Sequence, residues 1–247
     1  MLRQKFANHS FFLSDNAKNM NYTRPKTILD SSTLEKVLKN LVFNDFCELT
    51  KTNSDELTSI LSAKFNVYHP LFSQEDTYAT AEAYWANVVI PHKIAVYQAG
   101  IKLLEKILNV DSTFVKKEDF IKRLIEHDLS KFSALETYGY MMYSFNGKNS
   151  NTQKNNFKTA WHHHKQHNSH HPEYWIDVNK KGNIEILPMN KIDVLEMVAD
   201  WQGAGKSYST SFEEWATNNL QNFAFHQKTK DSLNFIFQVV DFDYNFV

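Results

Sequence analysis

From about Asp76 to Val110 the chain carries one helical hydrophobic pattern, interrupted by a single helix breaker, Pro91. A run of that length at a 3.6-residue period does not suit strands, whose side chains alternate every second residue. Proline inside a helix removes one hydrogen bond and clashes with the preceding turn, so a kink or a fresh helix start is predicted at Pro91. His92 follows directly. Beyond it, Val96, Ile101, Leu104 and Ile107 are the core candidates of the continuing helix. The chain holds only six glycines and five prolines in 247 residues, which favours long helices over a turn-rich β architecture. The predicted fold class is all-α, a helical bundle.

The same period recurs along the rest of the chain. Ser32 or Thr33 can cap a helix in which Leu34, Val37, Leu38, Leu41 and Val42 repeat, and a second helix opens at Ser54 with Leu57, Ile60, Leu61 and Phe65 on one face. NVYHPLF, broken by Pro70, reads as a loop. After Asp111–Thr113 a helix carries Phe120, Ile121, Leu124 and Ile125 on its buried side and ends at His127-Asp128. Residues 134–145 form another helix, the polar stretch NGKNSNTQKNN a loop, and helix resumes around Phe157. A small β-hairpin is expected near 175–187, turning across Asn179–Asn183. From Asn190 a helix places Leu195, Val198 and Ala199 inward and delivers Asp200, and one or two further helices close the chain.

Twenty-seven basic residues stand against 28 acidic ones, a net charge of -1. Such a balance gives no strong nucleic-acid signal and no attraction to a membrane surface. No apolar run approaches the roughly 20 residues that cross a bilayer, and the N-terminus lacks a signal peptide's apolar region. A cytoplasmic location is therefore expected. Cys47 is the sole cysteine, so an internal disulfide is excluded and a metal site would be built from nitrogen and oxygen.

Those donors are unusually concentrated. Eight of the eleven histidines lie between His92 and His171, six of them within residues 162–171. Read in order, the chain offers His92, His127-Asp128, the histidine cluster and Asp200. Imidazole nitrogen and carboxylate oxygen suit zinc, iron and manganese. The adjacent pair His127-Asp128 can serve one site only if the helix ends there, since successive helical residues point about 100° apart. Within the cluster, His164 and His171 (or His163 and His170) are seven residues apart, about 10 Å on a continuous helix and too far for one ion. Asn168-Ser169 and Pro172 predict that the helix breaks between them. His162 and His167 read as members of an exposed polar face.

The order His92, His127-Asp128, Asp200 is similar to the HD-domain superfamily of metal-dependent phosphohydrolases, and HDLSK resembles the HDxxK element of its HD-GYP branch, although the GYP element is absent. The phrases HDLSKFS, AWHHHKQHNSHHPEYW and EMVADW further resemble an uncharacterised family of HD-like proteins from bacteria and phages, over roughly residues 88–215. The resemblance implies an HD-like catalytic domain at 76–247, preceded by a helical extension at 1–75. It implies a first metal ion held by His92, His127, Asp128 and Asp200, with two cluster histidines adding a second ion bridged by Asp128. His164 and His171 are the favoured pair, His163 and His170 the next.

One or two divalent cations (Mn, Fe, Zn, Co or Mg) would then activate water. Lys131 would contact a substrate phosphate or hydrogen-bond the nucleophile, and Asn168 would orient a ligand. The expected substrate is a small phosphate ester or nucleotide. Two alternatives stand beside hydrolysis: an HD-fold di-iron oxygenase, and a metal-stabilised binding protein without turnover. The extension is open between covering the site, building a homo-oligomer and completing the helical core. Trp161, Trp175, Trp201 and Trp215 read as core packing before base stacking.

Overall fold

The computed structural model describes residues 84–145, 151–208 and 211–244, with Ala81 and Phe246. The helices expected at 34–49 and from Ser54 to Phe65, the loop at 66–72 and Cys47 lie outside the described residues. Seven α-helices occur among the described residues: α1 (Ile90–Val110), α2 (Lys117–Glu126), α3 (Ala134–Phe145), α4 (Asn151–His167), α5 (Lys191–Tyr208), α6 (Phe212–Asn219) and α7 (Gln227–Val239). One antiparallel pair, β1 (Ile176–Val178) and β2 (Ile184–Ile186), completes an all-α fold with a small hairpin. None of these helices is long and apolar enough to cross a membrane.

The described chain divides into two compact units, each assembled from separated stretches. The first takes residues 95–127 and 168–247. The second takes the described residues up to Ile94 together with 128–167. The borders fall inside α1, at the His127–Asp128 peptide, and where α4 ends.

In the first unit the helical periodicities converge on one core. Val96, Leu104 and Ile107 of α1 are buried with Phe120 and Leu124 of α2, Leu195, Val198 and Ala199 of α5, and Leu233, Ile236 and Phe237 of α7. Ile101 and Ile121 pack against that core while partly exposed. Trp175, Trp201 and Trp215 also pack there, the last two 5.1 Å apart. Ser211 caps α6 by accepting from the Glu214 backbone N–H at 3.0 Å, the first half of a capping box. The hairpin pairs Ile176 with Ile186. Its turn is closed by Gly182 at φ 79°, and the Asn179 side chain accepts from the Lys181 and Asn183 backbones.

Gly203 sets how closely α5 approaches α1, because a Cβ there would lie 2.7 Å from the Val96 backbone. Backbone yields poorly, so Gly203→Ala is expected to cost about 1–3 kcal/mol. Urea unfolding measures this, and a change within about 0.5 kcal/mol would show that the helices separate freely.

In the second unit a π-helical turn, Trp85–Val89, leads into α1, so the chain is already helical when Pro91 arrives at the second α1 position. The Trp85 indole donates to Thr137 Oγ1 at 3.0 Å and packs on Phe132. Helix α4 begins at Asn151, six residues before the expected start at Phe157. Intrinsic preference argues against that start, since Asn and Thr are weak helix formers. Packing overrides it. Gly139 lets α3 run against α4 at Asn156 and Ala160, and Phe157 stacks on Tyr143 at 4.3 Å.

Candidate metal centre

The local backbone around the HD pair explains how neighbours in sequence face different groups. Helix α2 stops at Glu126, His127 turns to φ -48°, ψ 130°, and Asp128 takes the left-handed conformation at φ 56°, ψ 23°. A 3-10 turn, Leu129–Phe132, follows. Left-handed backbone is costly for most residues, and aspartate is among those that tolerate it. His127 and Asp128 are each 1% exposed.

In the second unit Asp128 is the hub. Its Oδ2 lies 3.3 Å from His92 Nε2 and 2.6 Å from Lys131 Nζ, and its Oδ1 lies 3.3 Å from His164 Nε2. Buried Glu136 takes His164 Nδ1 at 2.8 Å through Oε2 and His163 Nδ1 at 2.6 Å through Oε1. A carboxylate only accepts, so it keeps the proton of His164 on Nδ1 and leaves Nε2 facing Asp128 as a lone pair. Burial pushes the His164 pKa below 6.5, outweighing the pull of Asp128 and Glu136 in the other direction. The neutral, ligating form is thereby favoured. Tyr140 sets its ring edge-on to His164. Burial first, then Glu136, Tyr84 and Asp128, raise its phenol well above 10, so it stays protonated.

In the first unit Glu196 of α5 plays the part that Glu136 plays in the second. Its Oε1 lies 2.9 Å from His127 Nδ1 and 3.2 Å from His170 Nδ1. These three residues bring donor atoms within 4.8 Å of one another. On their far sides the rings turn to Asp200, with His127 Nε2 3.7 Å from Oδ1 and His170 Nε2 3.9 Å from Oδ2. Burial would raise the Glu196 carboxyl, but His170 and His127 outweigh it and hold it at about 2. Arg123 adds its Nε at 3.6 Å from Glu196 Oε2.

His170 is held in place by the chain break that the sequence predicts. Helix α4 ends at His167, and the His171 N–H donates to the Asn168 carbonyl across the turn. Ser169 donates to Asp193 and accepts from Arg123, while Trp175 donates to the Ser169 carbonyl. Buried His171 lays its ring on His170 at 4.4 Å.

Two donors about 2.1 Å from one cation and 90–120° apart are about 3.0–3.6 Å from each other. The two imidazole spacings around Asp128, 3.3 Å each, fall in that range, and those around Asp200, 3.7 and 3.9 Å, lie just beyond it. The nitrogen and oxygen donors of each unit fit a divalent transition metal.

Of the residues singled out in the sequence, His92, Asp128, His164 and Lys131 gather in the second unit, His127 and Asp200 in the first. Beside Asp200 the cluster member in place is His170. The sequence reading missed four buried charges: Glu136, Glu196, Asp193 and Lys93, the last 1% exposed next to His92. Glu196 had a signal, since it lies one helical turn before Asp200 and shares its face. Glu136 had none.

A family model described as a family of unknown function, DUF5662, matches residues 81–239. The chain belongs to that family. No curated protein and no solved structure matches it.

Proposed function

We propose that the protein is a metal-dependent phosphohydrolase acting on a small phosphate ester, with nucleotides as the first substrates to test. The observation that carries this reading is Asp128. Its carboxylate is buried at a helix end, faces an imidazole Nε2 on each oxygen and pairs with Lys131. The likeness to HD-domain hydrolases in the order of these residues supports the same reading.

A divalent cation bound at such donors supplies Lewis acidity and a water of lowered pKa. The chain's own groups do the remainder. Glu136 and Glu196 hold their histidines with the Nε2 side presented. Burial keeps water from competing for those donors. The Lys131 ammonium, 20% exposed and against Asp128, offers a cation to a phosphate oxygen.

The test is phosphate release from a panel of nucleotides and phosphomonoesters, with manganese, cobalt, nickel or magnesium supplied. Release that is metal-dependent and lost in Asp128→Asn is the expected result. No release from metal-loaded protein across the panel would overturn it in favour of a binding protein.

A second reading has its own support. His127, His170 and Asp200 make a set of two histidines and one carboxylate, the donor set of non-haem iron oxygenases. Anaerobic purification followed by metal analysis and electron paramagnetic resonance separates the two. Absence of iron under those conditions would remove the oxygenase.

A further inference from the structure

We infer that His163 and His167 form an additional cation site on the outer face of α4, separate from the buried clusters and suited to copper, nickel or zinc. The two residues are four apart on one helix, so their side chains share a face. Their rings stack at 3.8 Å between centroids with 18° between planes. His163 is 27% exposed at its side chain and His167 is exposed.

The hydrogen bonds decide which nitrogen each ring presents. His167 Nδ1 lies 2.7 Å from the His163 carbonyl, and a carbonyl can only accept. His163 Nδ1 lies 2.6 Å from Glu136 Oε1, another acceptor. Both Nδ1 atoms therefore carry hydrogen, and in the neutral rings both lone pairs sit on Nε2. Among the described residues neither Nε2 takes part in a hydrogen bond or ion pair. Once side-chain rotation turns the stacked rings toward a common point, two imidazole lone pairs one helical turn apart suit a borderline divalent metal that completes its shell with water or a small ligand. Magnesium and calcium prefer all-oxygen shells, which this pair does not provide.

Glu136 ties this site to the rest of the second unit. The carboxylate that fixes His163 through Oε1 fixes buried His164 through Oε2. An ion on the outer pair thus draws on the same group that orients a buried imidazole. The sequence alone placed His167 on a merely polar face. What changes that assignment is the contact between the two rings and the carbonyl that accepts from the Nδ1–H.

The experiment uses the untagged full chain and copper(II) iminodiacetate, a chelate that leaves positions for two imidazoles and is too bulky for the buried clusters. Continuous-wave electron paramagnetic resonance should show one equivalent bound with two nitrogen ligands. Since the second imidazole binds intramolecularly, His167→Ala should weaken binding by at least about tenfold and leave a one-nitrogen signal. His162→Ala, on an exposed neighbour, should change nothing. A one-nitrogen signal in the wild type, or unchanged binding in His167→Ala, overturns the site. Either result leaves the phosphate-release assay to judge the buried clusters on its own.

Discussion

Asp128→Asn is expected to lose a bound cation and metal-dependent phosphate release together, the latter by about a thousandfold, while the helical fold persists. The choice of asparagine matters. At φ 56° an alanine would add about 1–2 kcal/mol of backbone strain, mixing instability with lost chemistry. Asparagine tolerates that backbone and keeps the side chain's shape, so it removes the charge and one acceptor oxygen without that strain. The charge is what counts. His92 and His164 each face one Asp128 oxygen at 3.3 Å, and Lys131 is 2.6 Å from the second. Elemental analysis of metal-loaded protein, with urea unfolding alongside, reads both halves of the prediction. Metal kept at wild-type stoichiometry would refute Asp128 as a ligand. Metal lost together with the fold would mark it as structural.

Glu196→Ala should be the most destabilising single change at the centre. Removing one partner of a buried charged network costs about 3–5 kcal/mol, and Glu196 holds both His127 and His170 with Arg123 behind it. Glu196→Gln keeps the shape and is expected to lower metal affinity about 10–100-fold, as loss of an orienting carboxylate does. It also has a pH signature. The folded protein holds this carboxyl at about 2, below its ordinary 4.5. Its contribution is thus fully present above about 4.5 and is lost as pH falls towards about 2. The stability advantage of wild type over Glu196→Gln should shrink across that window, measured by urea unfolding at successive pH values. A constant difference would show that Glu196 is not held as an anion by its histidines.

Local signals were legible wherever local physics governs. The end of α2 at the HD pair, the hairpin across Gly182 and the break after His167 each depend on a few consecutive residues. The early start of α4 was not legible, because the helix opens on two weak helix formers, Asn151 and Thr152, and its packing on α3 comes later, at Asn156 and Ala160. The histidine run posed a similar difficulty. Spacing alone offered four of its six members as ligands, and only the packing distinguished a buried His164 on Asp128 from a His163 on the rim.

The sequence by itself determined the all-α class, through a period that strands do not satisfy. It also determined the supply of donors, which are properties of residue type: histidine and aspartate, with a single cysteine. Tertiary structure decided which of them meet. Glu136 reaches His164 from 28 residues away, and Glu196 reaches His127 from 69. No periodicity encodes such a pairing, because it depends on how whole helices pack. Packing also set the tautomers, since a ring nitrogen keeps its proton only where a carboxylate or carbonyl has been brought to accept it.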